Sequence, residues 1–383
     1  MLQKRTESNQ INVGVVVPQT ASYPQLGYHF LQGIQLYFTL HPNDFGGKKV
    51  ELHIEEVGLA RETDIGGKVQ KLASSGMQAI LGWSAGHVIE NMAGSAQMAG
   101  IPLLWTNLGD SIPRRELPFG ILFRLEGGHW QSSYHLGKWY SQHEKQSPGE
   151  VFDFLDSGYD FAAVFRTGVS PELVEKSWTQ VTNAGGQFDI PPATALENLS
   201  KENLLPVFSV HPNAWKDDYA SYDQIARGYR LASPIPGPAL KEQISTDPWH
   251  MDESMEETTI FMRGCKEYFE QDPDPFYLLG YELGAWLYAG CKRIEEVDGW
   301  GDMATRIETF GKVDLVTPRG AFSYHEPLQL MTPPVSITEQ KQGEAPRIVS
   351  TVPSMEVITP DHSDLDPIQV DHKARFINPY MVI

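Results

Sequence analysis

Between Met77 and Asn107 the chain reads MQAILGWSAGHVIENMAGSAQMAGIPLLWTN, and this stretch constrains the fold more tightly than any other. Ala79-Ile80-Leu81 is a short apolar run that stops at Gly82. From Val88 to Met98 apolar and small residues recur at helical spacing (Val88, Met92, Ala96, then Ala99), and Ile101 to Trp105 is a second apolar run opened by Gly-Ile-Pro. Strand, helix, strand is the repeating unit of a parallel sheet, because parallel neighbours need a crossover long enough to hold a helix. Trp83 to His87 fall at the handover from strand to helix. There the first backbone N–H groups of the helix lack intrahelical partners and suit an anionic or polar group.

Gly82-Trp83-Ser84-Ala85-Gly86 also fits the G-x-S-x-G nucleophile elbow, in the strand-to-helix context which that motif requires. Under that reading the chain is a serine hydrolase in which Ser84 needs a base and an oxyanion hole, with an acid and a histidine later in the sequence. With 49 acidic residues and 12 histidines, any serine finds such partners on paper. The competing reading, small residues filling a tight turn, is the one the pattern favours.

At 383 residues the chain exceeds the usual size of one domain, so two are expected. Its 41% hydrophobic, 11% aromatic and 21% charged residues describe a globular protein with sizeable cores. A net charge of −19 without a Lys/Arg run argues against a nucleic-acid partner or an anionic membrane surface. No run approaches the ~20 apolar residues of a membrane-spanning helix, so direct membrane insertion is not expected. The opening MLQKRTESNQ lacks the apolar segment of a signal peptide, which leaves a cytoplasmic protein, or an exported one whose signal is absent from this sequence. Cys265 and Cys291 are too few for a disulfide framework or a structural zinc site; they lie on consecutive predicted helices as free thiols or as a single bridge.

Further strands and helices follow the same alternation. Ile11 to Val17 is an apolar β-branched run of the kind covered on both faces of a parallel sheet. An amphipathic helix is predicted from Leu26 to Leu40, with Leu31, Ile34, Gln35 and Phe38 on its spine. A strand from Val50 to Val57 and a helix from Glu62 to Ser75 lead to the stretch described above. No G-x-G-x-x-G follows the first strand, so a dinucleotide site lacks its main support and no cofactor is expected. Asp361-His362-Ser363-Asp364-Leu365-Asp366 and Asp371-His372 read as a solvated acidic tail, because their spacing matches no metal geometry.

In order and spacing, VGVVVP, a helix ending in a polar turn, FGGKKVEL, a helix, AILGWSAG, a helix and AGIPLLWTN resemble the N-terminal lobe of type I periplasmic binding proteins, in the branch that serves branched-chain amino acids and amides. The later chain resembles that family more loosely. Gly280-Tyr281-Glu282, in a helix from Phe276 to Ile294, is similar to its gYda helix, and Pro318-Arg319-Gly320-Ala321-Phe322-Ser323-Tyr324 is similar to its late rGpvsfd strand. The segment from Phe161 to Leu205 is short by about one strand-helix unit. Tyr229 to Pro238 and Thr246 to His250 are Pro-rich stretches expected to carry the chain back to the first lobe. The resemblance implies an α/β fold of two open parallel-sheet lobes joined by a three-strand hinge, with a cleft between them. Lobe 1 would hold 11–125 plus about 251–326, and lobe 2 about 126–250 plus 327–383.

Ligands of open α/β sheets bind beyond the carboxyl ends of the strands. In the first lobe that rule selects Tyr23, then Trp83, Ser84, Ala85, Gly86 and His87, then Trp105, Thr106 and Asn107. In the second lobe the resemblance points to Asp156 and Tyr159, and the His211-Pro212-Asn213 turn supplies His211. The two tryptophans either border the cleft or pack the edge of the lobe. The family's amino-acid binders place hydroxyl residues where Ala85 and Gly86 stand; this departure weakens the case for an α-amino acid and leaves backbone N–H groups to grip a carboxylate. The implied function is non-enzymatic: a solute-binding protein that closes over a small polar ligand, with an aromatic or aliphatic part, and delivers it to the permease of an ABC importer from the periplasm or cell exterior. The alternative on the same fold is a cytoplasmic ligand sensor of the amide-sensing type.

Overall fold

The computed structural model of the chain describes residues 9–358 apart from 21–22, 59–61, 87, 90–96, 98–99, 110, 114–119, 154–159, 183–191, 209–225, 232–239, 298 and 300–301. Its first strands are β1 (Gln10–Val17), β2 (Lys49–Glu56), β3 (Ala79–Trp83), β4 (Leu103–Asn107) and β5 (Leu122–Glu126), all mutually parallel. Helices α1 (Leu26–Leu40) and α2 (Glu62–Ser74) are the crossovers from β1 to β2 and from β2 to β3. Between β3 and β4, Gly86, Val88, Ile89 and Gln97 are helical, and the rest of that predicted helix lies outside the described residues. β1, β3, β4 and β5 are buried along almost their whole length, as the unbroken apolar runs require.

At β5 the chain leaves this sheet for a second one. Helix α3 (His129–His143) leads to β6 (Pro148–Asp153), α4 (Asp160–Gly168), β7 (Trp178–Thr182), α5 (Pro192–Lys201), β8 (Leu205–Phe208), β9 (Gly228–Arg230) and β10 (Glu242–Asp247). The chain then returns through α6 (Glu256–Phe269), α7 (Pro275–Glu296) and α8 (Met303–Phe310), and a hairpin of β11 (Val316–Thr317) and β12 (Gly320–Ala321). β13 (Ser323–His325) and β14 (Leu330–Thr332) complete the first sheet, in the order β13-β14-β5-β4-β3-β1-β2. β15 (Val335–Lys341) and β16 (Arg347–Val352) complete the second, in the order β16-β15-β10-β9-β8-β6-β7.

Two expectations about the passages between sheets are corrected. Tyr229 and Arg230, expected within a segment leading back to the first lobe, belong to β9 inside the second sheet; that passage is made later, at Pro248 and Trp249. The third passage falls at Pro333-Pro334 rather than near residue 326, because Leu330 and Met331 pair in parallel with Arg124 and Leu125. Proline stands at both places because it cannot donate to a ladder and so ends strand pairing.

Helix α1 has the predicted bounds, but its buried face is rotated from the predicted spine. Leu26, Phe30, Gly33, Ile34 and Tyr37 face inward, while Leu31, Gln35 and Phe38 are not fully buried. The reason is α7, whose backbone meets that of α1 at two glycines. A Cβ on Gly33 would lie 2.2 Å from the Tyr277 carbonyl oxygen, and one on Gly280 would lie 2.0 Å from that of Phe30. Aromatic rings fill the flanks: Tyr277 stacks on His29 with centroids 4.0 Å apart, and Tyr37 meets Tyr281 edge-on at 4.9 Å. α7 starts at a capping Asp274, which accepts the N–H groups of Phe276 and Tyr277 at 2.9 Å each, followed by a proline in the first turn. Cys265 on α6 and Cys291 on α7 are both buried and free, so the open question of a bridge resolves to unpaired thiols.

The glycine contact yields a test. Gly280→Ala gains helix propensity worth up to ~1 kcal/mol, but it drives a methyl into backbone that cannot rotate away. Such overpacking costs about 1–3 kcal/mol, so the net expectation is a loss of stability in urea unfolding, whereas Gly67→Ala in α2, where a Cβ meets open space, should gain stability.

Candidate functional site

The passages between the sheets converge on one buried ion pair. Arg319, in the turn before β12, is 2% exposed and Glu282, in the middle of α7, is 0% exposed. The guanidinium donates Nε to Glu282 Oε1 at 2.8 Å and Nη2 to Oε2 at 2.5 Å, and Thr317 Oγ1 donates to Oε1 at 2.9 Å. Its remaining N–H groups reach main chain: Nη1 donates to the carbonyls of Gly127 and Pro248 at 3.1 Å each, and Nη2 to that of Glu126 at 3.4 Å. The first and second passages are thereby tied to one side chain. The ring of Trp249 lies 5.7 Å from the guanidinium carbon and that of Phe322 5.1 Å, so aromatic faces cover what the hydrogen bonds leave. Gly128, at φ +92, sits where a Cβ would contact Pro248 at 3.6 Å and Pro333 at 3.9 Å, which brings the third passage to the same place.

Beside this hinge lies a cavity of about 660 Å³. Gln25, Pro273, Asp274, Pro275 and Phe276 line it from the first sheet's helices, and Arg230, Leu231, Gln243, Asp247 and Thr338 line it from the second sheet, with Pro248 and Trp249 between. Asp274 is committed to the α7 cap and to His29 Nδ1 at 2.6 Å. Burial holds the Asp247 carboxyl above the usual carboxylate range, against the opposing pull of His250, the Trp249 N–H and Arg319. The rim therefore offers two aromatic rings, prolines and neutral or already committed polar groups.

The architecture has close counterparts among solved structures. An ABC transporter substrate-binding protein from Sphaerobacter thermophilus superposes with a TM-score of 0.69 at 16% identity, covering 90% of this chain and 98% of that one. A solute-binding protein of an ABC transporter from R. palustris, in complex with benzoate, gives 0.67 at 20%, covering 90% and 97%. The leucine-binding protein LivK from Thermotoga maritima gives 0.62 at 17%, covering 90% and 99%. This chain has the type I periplasmic-binding-protein fold. No protein-family model matches the sequence, and no curated protein matches it. Among the described residues no helix is long and apolar enough to cross a membrane, and no group of three or more His, Cys, Asp or Glu residues is placed to hold a metal ion.

Within this fold the predicted loop residues of the first sheet come together, but most are inside the lobe. Trp83, at the end of β3, is 1% exposed and meets Phe30 edge-on at 5.6 Å and Phe276 at 5.9 Å. Trp105 is equally buried; it donates its indole N–H to Ser84 Oγ at 2.8 Å, while Ser84 directs its own hydroxyl to the Ala85 carbonyl at 3.3 Å. Ser84 is thus 0% exposed and serves as the acceptor for an indole. Asn107 turns back on its own loop to accept the Gly109 N–H at 2.6 Å, and Thr106 is buried with no hydrogen-bond partner for Oγ1. Ala85 and Gly86 are buried at the helix start, where the Ala85 carbonyl accepts the N–H groups of Val88 and Ile89. Tyr23 is buried against Phe276, with centroids 5.5 Å apart, directly behind the cavity wall. His87, Asp156, Tyr159 and His211, together with the acidic tail at 361–372, lie outside the described residues.

The residues that sequence reasoning missed are Arg319 and Glu282 at the hinge, and Phe276, Trp249 and Gln243 at the cavity. The signal for the first two was available, since both fall in motifs that resemble the family, but nothing local says that an arginine after β11 meets a glutamate about forty residues earlier. His129, the first residue of α3, was also missed. It is buried edge-on to Trp249 at 5.5 Å, and burial, aided by the Arg319 charge, pushes its pKa down to about 3.

Two measurements probe the hinge. Arg319→Met leaves Glu282 buried without its counter-ion, and an expected loss of about 3–5 kcal/mol in denaturant unfolding should be partly restored in the Arg319→Met/Glu282→Leu double variant. For His129, the unfolded chain takes up a proton below pH 6.5 that the native chain refuses until about 3. Its contribution is therefore complete above pH 6.5 and shrinks as pH falls, by up to ~1.4 kcal/mol per pH unit. His129→Gln should flatten the dependence of unfolding free energy on pH in that window; an unchanged slope would mean that His129 does not titrate this way.

Proposed function

We propose that this chain is a non-enzymatic solute-binding protein whose two lobes close over a small organic ligand and present it to the permease of an ABC importer, outside the cytoplasmic membrane. The observation that carries the reading is the hinge: two largely parallel sheets with antiparallel edge strands, passed between three times, meet at Arg319 beside a cavity lined from both sides. A fold of this kind gains a binding site by bringing two surfaces together, and the free energy of that contact comes from the ligand. The lobes are assigned as 10–126 with 256–332, and 129–247 with 335–352, each following the strands of its own sheet.

The ligand assigned to the cleft is a small molecule of net charge no greater than one, with an apolar, planar or branched part. Phe276 and Trp249 supply apolar faces at the cavity, and the benzoate and leucine of the structural neighbours are ligands of that kind. Of the loop residues selected in the sequence, His87, Asp156, Tyr159 and His211 remain proposed ligand contacts, while Tyr23, Trp83 and Trp105 are assigned to the packing behind the cavity wall. Ser84 is assigned a packing role, because its hydroxyl is buried and engaged with Trp105.

The test is thermal unfolding in the presence of benzoates, branched-chain amino acids and amides. A ligand bound only by the folded state, at 100 times its dissociation constant, adds about 2.7 kcal/mol, and closure should reduce the radius of gyration in solution scattering. Absence of any stabilisation across the three classes would sink the reading.

A further inference from the structure

The cavity beside the hinge has one polar wall, a face of the second sheet. On β10, Gln243, Ser245 and Asp247 alternate with Ile244 and Thr246 and so share that face, in register with Gln340, Thr338 and Ser336 on β15 and, at Ser245, with Arg230 on β9. Most polar groups of this wall have partners or are free to turn. Ser245 and Thr338 bond each other at 3.0 Å, and Thr338 Oγ1 also donates to the Ser245 carbonyl at 3.2 Å. Asp247 accepts the Trp249 N–H at 3.1 Å, and Arg230 is engaged elsewhere. Gln340, opposite Gln243, and Gln25, across the cavity, are partly exposed, so their amides can present either end.

Gln243 is held in one sense. It is 3% exposed, and its Oε1 is sealed inside the protein with no donor, which leaves Nε2, a donor, as the accessible atom of the amide at the cavity. The reverse orientation would bury two N–H groups without acceptors, and buried N–H groups are left unpaired more rarely than carbonyl oxygens. The cavity therefore holds one fixed donor. Such a donor discriminates, because a molecule that brings apolar surface or another donor against it leaves it unpaired. A carboxylate does not suit that position. An anion taken out of water needs a cation or several donors, whereas this wall offers one neutral amide, an Arg230 already engaged and the Asp247 carboxyl. An uncharged carbonyl oxygen needs only the one donor.

Resting on the solute-binding reading, we infer that the cargo carries an uncharged carbonyl oxygen, as a ketone, ester or amide, which accepts a hydrogen bond from Gln243 Nε2 while a planar apolar part lies against Phe276 and Trp249. Pro248, Pro273 and Pro275 complete the apolar seat for that part. Gln243 thus sets specificity at the second sheet by what it donates, and the aromatic side of the cavity sets it by shape.

Three para-substituted benzoates that differ only beyond the ring test it by titration calorimetry: 4-acetylbenzoate, with a neutral carbonyl; 4-isopropenylbenzoate, of the same shape with a methylene in place of the oxygen; and terephthalate, with a second carboxylate. In the native protein 4-acetylbenzoate should bind about tenfold tighter than 4-isopropenylbenzoate, the equivalent of one net hydrogen bond, and tighter than terephthalate. In Gln243→Met, which keeps an unbranched side chain and lacks the donor, the first ratio should fall to about one or below, because the methylene is the more apolar group. The native series carries the test by itself should that variant fail to fold. Equal affinities for the acetyl and isopropenyl compounds, a preference for terephthalate, or a ratio that survives in Gln243→Met would overturn the inference and leave solute binding standing. So would silence from all three compounds while a branched-chain amino acid binds. No heat from the three, from branched-chain amino acids or from amides would remove both.

Discussion

Backbone that leaves one sheet for another loses its ladder neighbours, and buried carbonyls there need donors from elsewhere. Arg319 supplies them. A guanidinium carries five N–H groups in a planar fork, and here they reach both oxygens of Glu282 and the carbonyls of Glu126, Gly127 and Pro248. Burying both charges costs several kcal/mol per ion, which the ion pair alone need not repay; full hydrogen bonding of the fork, Thr317 on Glu282 and two aromatic faces are what make the arrangement sustainable. The consequence for motion is specific. The passages stay pinned to α7 and the β11–β12 hairpin, so the lobe closure of the proposed function would be absorbed next to the pinned carbonyls, where Gly128 stands with a positive φ.

The two sides of the cleft are built from different material. α1 and α7 meet backbone to backbone through Gly33 and Gly280, and the rings of His29, Tyr277, Trp83 and Phe276 pack behind that contact. That wall is stiff, because neither glycine has a side chain that could move aside. The opposing wall is a sheet face of amides and hydroxyls, part of it mutually bonded and part of it not. Rigid apolar surface selects by shape and polar surface by the position of polar groups, so under the proposed function the two kinds of discrimination would fall to different lobes.

Periodicity carried most of the fold. Leu26–Leu40, Lys49–Glu56, Glu62–Ser74 and Pro275–Glu296 lie at or within two residues of where apolar spacing puts them, since that signal is local. What failed was what depends on partners distant in sequence. The inward face of α1 was misjudged because Gly33 reads as a weak position until Gly280 is beside it. β14 was assigned to the wrong lobe because a strand of three residues declares its sheet only through its neighbour, β5. At the site, the carboxyl-end rule selects loops of the first sheet but says nothing about which way a terminal side chain turns, and both tryptophans turn inward.

The G-x-S-x-G of the opening stretch shows how a catalytic pattern arises from packing alone. Gly82 is required because a Cβ there would fall 2.2 Å from Trp105, whose ring lies across the β3–β4 pair. A tryptophan buried to that degree needs an acceptor for its indole N–H, and Ser84 provides one at 2.8 Å from the adjacent strand end. The serine is therefore fixed by Trp105, and the first glycine is fixed by the same ring. A nucleophile elbow holds its serine up to solvent above a sharp turn; this one holds it down, fully buried, against an indole. Two of the motif's three defining positions thus answer to one side chain on the neighbouring strand, and replacing Trp105 would remove the reason for both.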